Sequence, residues 1–460
     1  MDTGDTAWIL VSTALVMLMT PGLALFYGGM VRAKSVINMM MMSFGALAIV
    51  SVLWILYGYS MAFGGDVGGG LLGDPFEFLG LKGLMSPDSL SGTIPTLLFV
   101  GFQGMFAVIT VALVSGSIAD RAKFWTWMIF AGVWATLVYF PVAHWVFAFA
   151  EGNGGWIGDR LGAIDFAGGT AVHINAGAAG LALALVLGRR RDFGKGSHRP
   201  HNLPLVMLGA GLLWFGWFGF NAGSAVGANG TAAVALVNTV AATGAATMAW
   251  LAVEKFRDGH ATSLGVASGV VAGLVAITPA CSALSPVGSL ILGVVAGAIC
   301  SLAVSLKFRL RYDDSLDMVA VHLVGGIVGT LAIGFLATAD APAGVDGLFF
   351  GGGLDLLGKQ FVGAGAVLVF SFVVTYLIGM VLQKTIGFRV DDDHEVVGVD
   401  RIHHGESGYE LGSDEIPDDV LARVEAAAAS VTAPKPAAAG SASAAAGRIG
   451  TVEGGMSPAM

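Results

Sequence analysis

Long apolar runs, separated by short polar segments, dominate the first 388 residues of the chain. A helix needs about 20 apolar residues to cross the hydrocarbon core of a bilayer. The pattern predicts an all-α polytopic membrane protein with eleven membrane-spanning helices. We place them at about residues 7–30, 36–63, 92–117, 124–149, 165–188, 202–222, 230–253, 261–280, 287–307, 315–337 and 357–383.

The composition agrees with this fold class. Of the 460 residues, 55% are hydrophobic and only 12% are charged, whereas a soluble chain carries about 25% charged residues. Glycine is abundant, at 69 residues, and small residues let helices in a membrane bundle approach closely. The two cysteines, Cys281 and Cys300, lack metal-ligand spacing. We therefore expect no metal and no cofactor.

The basic residues of the connecting loops predict the orientation. One set of alternate loops carries most of them, from Arg32 in the first loop to Arg389 after the last span, whereas the opposite set carries only Lys82, Arg160 and Lys359. Because basic loops stay in the cytoplasm, we expect an external N-terminus and a cytoplasmic C-terminus in the cell membrane. The acidic first residues lack a basic segment, so we expect a first span rather than a removable signal peptide.

The chain becomes polar after Phe388 and divides into three predicted regions. Residues 1–388 form the transmembrane domain, residues 389–412 form a charged cytoplasmic region, and residues 413–460 form a low-complexity tail, in which residues about 424–447 are mostly Ala with Ser, Pro and Gly. A segment of that composition buries too little apolar surface to fold alone, so we predict a disordered tail. The net charge of −9 says little about partners, because much of the excess acid lies in the exterior loops and the C-terminal tail; we expect no nucleic-acid partner.

Two histidines lie in predicted spans within matching local sequences. His173 follows Asp165 by eight residues, as His322 follows Asp314, and both continue Ala-Val-His-[Ile/Leu]-x-[Ala/Gly]-Gly. Eight residues of helix rise about 12 Å, which places both histidines near the midplane of the bilayer, approached from opposite faces. Ionisable groups at that depth are functional candidates. The matched frames predict an inverted repeat of spans one to five and six to ten, with span eleven added.

Structural explanations for these polar residues remain open. Both histidines could be satisfied packing residues, or the tripeptide could recur by coincidence in an Ala/Val-rich chain. Asp165 suits a helix N-cap, and the aspartates at 313, 314 and 317 flank span ten in the same way. His144, near the outer end of span four, is more simply an interfacial or structural residue.

Aromatic residues cluster on two spans that could neighbour the histidines. Phe102 and Phe106 are four apart on span three and share a helix face, and the segment from Trp214 to Ser224 closes span six. Such rings commonly face lipid or the core. Alternatively, they form a cation–π site for a small cation, with Ser224 as a hydrogen-bond acceptor, above a hydrophobic constriction. No nucleotide loop, metal spacing or catalytic triad pattern is present, so we expect no enzyme.

Six motifs in order resemble the ammonium transporter family (Amt/Mep/Rh), and the bacterial Amt branch most closely. The resemblance covers about residues 7–412. The motifs lie at residues 21–29, 102–106, 165–175, 201–204, 216–224 and 313–322. The resemblance implies an eleven-helix protomer in membrane lipid, assembled as a homotrimer with one pore in each protomer.

The resemblance also implies roles for individual pore residues. His173 and His322 would be the twin pore histidines, sharing a hydrogen bond. Phe106 and Phe220 would form a stacked gate, and Trp217 would line the pore.

Ammonium recruitment above the gate would use another set of residues. Ser224, Phe106 and the Ala167 backbone would bind the ion, and Asp165 would support this site without touching it. Phe147 stands where many family members have Trp, in a segment like Ala-His-x-Val-Trp, and Phe is a weaker cation–π partner.

Two tryptophans near this position are alternatives to the missing one. Trp145 is two residues from Phe147, so it faces elsewhere on a helix. Trp156 lies in the following loop, from which it could fold over the vestibule.

The segment 397–409 resembles the regulatory C-terminal region of the family and contains Asp400, Gly405, Glu406 and Tyr409. The resemblance implies a PII-type signalling protein as a cytoplasmic partner, as is common for bacterial members of this family.

The sequence thus predicts a transporter that recruits ammonium, deprotonates it, and passes ammonia along the twin histidines. Two other hypotheses remain. The histidines could be axial haem ligands of an intramembrane redox protein, or the fold could report ammonium as a sensor, although no output domain is present.

Overall fold

The computed structural model describes residues 1–86, 88–195, 198–409 and 422. Within them, ten helices are long and apolar enough to cross a membrane, and an eleventh, α8, is shorter, so the eleven predicted segments are confirmed. They are α1 (Thr3–Met30), α2 (Ala33–Phe63), α3 (Thr96–Ile118), α4 (Phe124–Phe147), α5 (Gly169–Leu187), α6 (Leu203–Ala225), α7 (Gly230–Asp258), α8 (Ser263–Ile277), α9 (Pro286–Leu310), α10 (Val319–Leu336) and α11 (Asp355–Thr385).

Local sequence explains where several of these helices begin. A short polar side chain accepts a hydrogen bond from the backbone N–H three residues later at the start of α1, α6, α7, α8 and α9, which satisfies a donor that the helix leaves free. The five N-cap residues are Asp2, Asn202, Asn229, Thr262 and Ser285. The N-terminal boundaries of these spans are therefore determined by polar N-cap residues in the loops as well as by the apolar runs.

Contacts between loops place the two predicted loop sets at opposite ends of the bundle. At one end, the Lys123 N–H donates to the Phe388 carbonyl at 2.9 Å, and Arg190 bonds both Asp120 and Asp313. We call this the basic end. At the other end, a short hairpin of β1 (Leu90–Ser91) and β2 (Ile94–Pro95) adjoins the start of α1.

A buried ion-pair network ties the loops of the basic end together. The Arg190 guanidinium contacts Asp313 at 2.8 Å and Asp120 at 3.0 Å, and Arg32 lies 3.5 Å from the other Asp120 oxygen. Burial alone raises the pKa of a carboxyl group. Here Arg32 and Arg190 outweigh that effect and lower the pKa of Asp120 to about 2, and Arg190 and Arg121 lower that of Asp313 to about 2. Both carboxylates are therefore charged at neutral pH.

Helices α5 and α10 cross with matching contacts. Each begins with a π-helix, Gly169–Ile174 in α5 and Val319–Val324 in α10. A Cβ on Gly177 would lie 2.4 Å from the Leu323 backbone nitrogen, and a Cβ on Gly326 would lie 3.0 Å from the Ile174 side chain. In each case, the glycine four residues after a histidine faces the residue just after the other histidine. This reciprocal packing is the local symmetry expected of an inverted repeat.

The two helices start later than predicted. Helix α5 begins at Gly169 rather than near 165, and α10 begins at Val319 rather than near 315. The segment before α5 turns through Gly168, whose φ of +119° suits glycine and excludes a continuous helix there. The assumption of eight helical residues between each aspartate and its histidine was therefore wrong.

The three aspartates before α10 bind different partners. Asp314 accepts a hydrogen bond from the Val319 N–H at 2.7 Å and caps the helix, as predicted. Asp313 instead binds Arg190, and Asp317 pairs with Lys307 at 2.6 Å.

The C-terminal region packs against the basic end as two short helices, α12 (Asp392–Val397) and α13 (Val399–His404). The Asp400 carboxylate accepts the Ile37 N–H at 2.9 Å and the Asn38 N–H at 2.7 Å, so it caps the beginning of α2. Except for residue 422, the predicted tail of residues 413–460 lies outside the described residues.

We predict that Gly177→Ala destabilises the protein by about 1–3 kcal/mol, because its Cβ would meet backbone that has no free rotamer to adopt. Gly326→Ala should cost less, since its added Cβ would meet its nearest neighbours at 3.0–3.2 Å rather than at 2.4 Å. Thermal unfolding in detergent, followed by tryptophan fluorescence, measures both effects. Gly365→Ala on α11 is the control, because nothing lies within 4 Å of its added Cβ. Equal melting temperatures for Gly177→Ala and the control would contradict the close crossing.

Candidate functional site

A cavity of about 730 Å³ opens at the end of the bundle opposite the basic end. We call it the vestibule. Helices α3 and α4, the turn before α5, the turn closing α6 and the segment that leads into α11 all contribute to its wall. Five residues predicted for ion recruitment line it together: Phe106, Phe147, Asp165, Ala167 and Ser224.

The vestibule is more aromatic than predicted. Its lining includes the rings of Phe99, Phe106, Phe147, Phe149 and Phe166. Gln103 adds a polar side chain to this wall. Sequence reasoning missed Phe99 and Gln103, although positions 99, 103 and 106 share one face of α3 at helical spacing. The rings offer π-faces, and Gln103 and Ser224 offer hydrogen-bond acceptors, which together suit a small cation.

Asp165 shapes the turn below the vestibule. One carboxylate oxygen accepts the N–H groups of Gly168 and Gly169, and the other accepts those of Thr170 and Ala171, at 2.7–3.1 Å. Burial raises the pKa of this carboxyl group above its ordinary value, although the four donors act to lower it. With its oxygens engaged in this way, Asp165 fixes the backbone that follows Ala167.

Two phenylalanines in contact, with tilted rings, lie between the vestibule and the interior. The ring centroids of Phe106 and Phe220 are 4.3 Å apart, at an interplanar angle of 38°. Both side chains are buried. Ser224, one turn after Phe220, donates its hydroxyl to the Phe220 carbonyl at 2.8 Å, so its lone pairs remain available to the vestibule. The structure therefore brings the predicted gate pair into direct contact.

The twin histidines lie behind this gate in a narrow cavity, which we call the lumen. The Nδ1 atoms of His173 and His322 are 3.2 Å apart, so one ring donates and the other accepts. His173 stacks on Trp217 at 5.4 Å and on Phe220 at 6.0 Å. Trp217 donates its Nε1–H to the Thr278 hydroxyl at 2.8 Å. Thr278, which sequence reasoning missed, thus orients the indole that supports His173.

Apart from the histidines and the indole, the lumen is apolar. The further lining residues come from α1, α3, α5, α6 and α8, and they are Met19, Leu23, Phe26, Ile109, Leu113, Val172, Leu213, Phe220 and Val271. The buried Nε2 atom of His173 has no hydrogen-bond partner among the described residues. A neutral molecule that forms hydrogen bonds can therefore interact with this ring, whereas a full charge here would lack compensation.

The aromatic alternatives to Phe147 lie elsewhere. Trp145 donates to the Leu71 carbonyl at 2.8 Å and packs on Phe370 at 4.6 Å. Trp156 packs on Trp145 at 5.8 Å and is not part of the vestibule wall.

His144 is buried, with Nδ1 3.0 Å from the Ala62 carbonyl and Nε2 3.4 Å from Asp66. Its contacts agree with the structural role considered for it.

The C-terminal residues that resemble the regulatory region of the family lie at the basic end. Gly405 ends α13 with a φ of +67°, and Glu406 is exposed. The Tyr409 hydroxyl lies 3.0 Å from Nε2 of His201, in the loop before α6. This region therefore contacts the loops that connect the membrane helices.

Comparison with known proteins decides the family. A sequence model of the Ammonium Transporter Family matches residues 7–409. The chain belongs to the ammonium transporter family. The predicted fold class and function are confirmed at this level: the protein is a multi-pass membrane protein that transports ammonium or ammonia, and it is not an enzyme.

Individual relatives support the same conclusion. An ammonium transporter of Mycobacterium tuberculosis is 58% identical over 434 residues, covering 89% of this chain and 91% of the relative. An ammonium transporter of Bacillus subtilis is 47% identical and covers 89% and 99%. The crystal structure of Saccharomyces cerevisiae Mep2 is 36% identical, with a TM-score of 0.79 and coverage of 91% and 94%. A structure described as a sensor Amt protein is 28% identical, with a TM-score of 0.78 and coverage of 86% and 97%.

The contact between the histidines argues against haem ligation. Axial ligands must approach the iron from opposite faces of a porphyrin, but these rings bond each other directly. Trp217 and Phe220 occupy the space beside His173.

We predict that Asp165→Asn lowers stability by about 1–3 kcal/mol, because the amide keeps one acceptor oxygen and leaves buried N–H donors unpaired. Ammonium uptake should fall with it as the turn before α5 loosens. Thermal unfolding and uptake into proteoliposomes measure the two effects. The control is Asp355→Asn, whose carboxylate also borders the vestibule but is 76% exposed in a surface pair. A melting temperature unchanged from wild type would contradict the role of Asp165.

Proposed function

We propose that each protomer conducts ammonia through the lumen after ammonium is captured at the vestibule and gives its proton to water there; the proton then follows separately or is returned. The observation that carries this proposal is the direct contact of the two histidine rings in an otherwise apolar passage, behind a closed aromatic gate.

Recruitment at the vestibule selects a cation. The π-faces of Phe106 and Phe147 attract positive charge, and the Ser224 hydroxyl and the Ala167 carbonyl accept hydrogen bonds from ammonium. A neutral gas gains neither interaction. Asp165 contributes by holding the backbone after Ala167 rather than by touching the ion.

Deprotonation follows from the cost of moving a charge further. Beyond the gate, an ammonium ion would exchange water for apolar side chains, which is far more costly than moving neutral ammonia. The rings of Phe106 and Phe220 must separate for passage, and they exclude water while in contact.

The histidines lower the energetic cost of placing ammonia in the apolar lumen, because they can form hydrogen bonds with it. Each neutral imidazole has one N–H donor and one acceptor nitrogen, so the pair can bond ammonia and can exchange a proton across the Nδ1 contact. Stacking on Trp217 and Phe220 holds the His173 ring in the required plane.

We predict that the double variant His173→Ala/His322→Ala loses at least about tenfold of the ammonium-evoked current and uptake, because the lumen then has no imidazole donor or acceptor for ammonia. Solid-supported membrane electrophysiology with ammonium pulses at several pH values measures this. His260→Ala, at an exposed histidine after α7, is the matched control. Wild-type currents from the double variant would refute the role of the pair.

We predict that Phe147→Trp raises the apparent affinity for ammonium. Trp is the strongest aromatic partner for a cation, and a gain of about 0.5–1 kcal/mol corresponds to an apparent KM roughly two- to fivefold lower. Concentration series of the ammonium-evoked current measure it. Phe349→Trp is the control, since Phe349 is exposed and lies outside the vestibule wall. An unchanged or higher KM would remove Phe147 from the recruitment site.

We further propose a homotrimer in the cell membrane with an external N-terminus and with the basic end in the cytoplasm. The segregation of the basic loops supports this orientation. Asp400, Gly405, Glu406 and Tyr409 belong to a regulatory region at that end, where a PII-type signalling protein could reach it.

A sensing role instead of transport is less well supported. The structural similarity to a sensor Amt protein, at 28% sequence identity, concerns the membrane fold.

A further inference from the structure

We propose that a pocket at the basic end binds a phosphate-bearing anion, which the arrangement favours as the headgroup of an anionic phospholipid. The inference rests on the orientation proposed above, in which this end faces the cytoplasmic leaflet. The pocket has a volume of about 560 Å³. Its lining residues are Arg189, Arg190, Arg191, Phe193, Arg389 and Asp392.

Two of the four arginine side chains already form ion pairs and hydrogen bonds within the protein. The buried Arg190 side chain bonds Asp313 and Asp120. Arg389 contacts Glu395 at 3.1 Å, and donates to the carbonyls of Leu187 and Arg189.

The other two arginines lack a partner. The side chains of Arg189 and Arg191 form no hydrogen bond or ion pair among the described residues, and both residues are exposed. Asp392, the one carboxylate in the pocket wall, lies 3.5 Å from Arg389. The pocket therefore presents two guanidinium groups whose planar arrays of donors match the oxygens of a phosphate group.

The surroundings favour a lipid as the source of that phosphate. Phe193 stacks on Phe308 at the end of α9, with ring centroids 5.5 Å apart at 15°. Phe308 and Leu310 are 53% and 69% exposed. An apolar surface thus adjoins the two unpaired arginines at the end of a membrane helix, where a headgroup and its acyl chains meet. Basic pockets at this level commonly hold anionic headgroups.

Occupancy of this pocket would act on the C-terminal region. The Arg191 backbone N–H donates to Glu395 of α12 at 3.1 Å, and Arg389 spans from the end of α5 to the same carboxylate. One wall of the pocket therefore belongs to the loop after α5 and the other to the chain that leads into α12. A phosphate bound between them would hold these segments together.

The test measures lipid binding to the purified full-length protein in detergent by native mass spectrometry, with titrations of palmitoyl-oleoyl phosphatidylglycerol and phosphatidylcholine. We expect preferential binding of phosphatidylglycerol, weakened about thirtyfold in Arg189→Gln/Arg191→Gln, since each of the two basic residues near a lipid surface contributes about 1 kcal/mol. Arg189→Lys/Arg191→Lys should retain most of the binding. Arg309→Gln/Arg311→Gln removes the same charge at the same end and should have little effect.

A second arm adds 10 mM inorganic phosphate and follows thermal unfolding. Stabilisation of wild type but not of Arg189→Gln/Arg191→Gln, without a preference for phosphatidylglycerol, would assign the site to a free phosphate compound. Equal lipid and phosphate binding by wild type and this variant would overturn the proposal, as would an equal loss in Arg309→Gln/Arg311→Gln. Ammonium uptake in phosphatidylcholine liposomes is measured separately, so failure of transport and failure of this site are distinguishable.

Discussion

The close crossing of α5 and α10 is the constraint on which the rest of the site depends. Because Gly177 lies against the Leu323 backbone and Gly326 against Ile174, the two helices approach within reach of a hydrogen bond between ring nitrogens. A larger residue at either glycine would push the histidines apart. Each histidine lies in the π-helical start of its helix, a conformation that is rare overall but frequent at functional sites. The contact between the two histidine rings thus depends on the close approach of the two helix backbones.

Polar groups are distributed differently in the vestibule, the lumen and the basic end, in accordance with the charge that each region can accommodate. The vestibule has weak hydrogen-bond acceptors and aromatic faces, which suit the recruitment of a partly solvated cation proposed above. In the lumen, the wall is apolar apart from imidazole and indole, because these groups can serve a neutral molecule without holding a fixed charge. Fixed charges such as Asp120, Asp313 and Arg190 lie at the basic end and neutralise one another.

The sequence was sufficient for the parts of this arrangement that repeat or run along one helix. Apolar length predicted eleven helices, and the matched frames identified His173 and His322. Contacts between residues on different helices were harder to predict. The Thr278 contact with Trp217 joins positions 61 residues apart, and no periodicity connects them. The non-helical turn at Gly168 was also missed, because the apolar run continues through it and a positive φ at glycine leaves no mark on hydropathy. Family resemblance, rather than spacing, brought Phe106 and Phe220 together.

A short segment before α10 joins the basic end to the helix that carries His322. Asp313 binds Arg190, whereas the next residue, Asp314, caps the helix that carries His322. The chain has almost no freedom between these two anchors, since both carboxylates are buried and hydrogen-bonded. Arg190 in turn follows directly on Arg189, whose carbonyl accepts from Arg389 at the start of the C-terminal region. A displacement of that region would therefore strain an ion pair one residue away from the cap of the helix that carries His322.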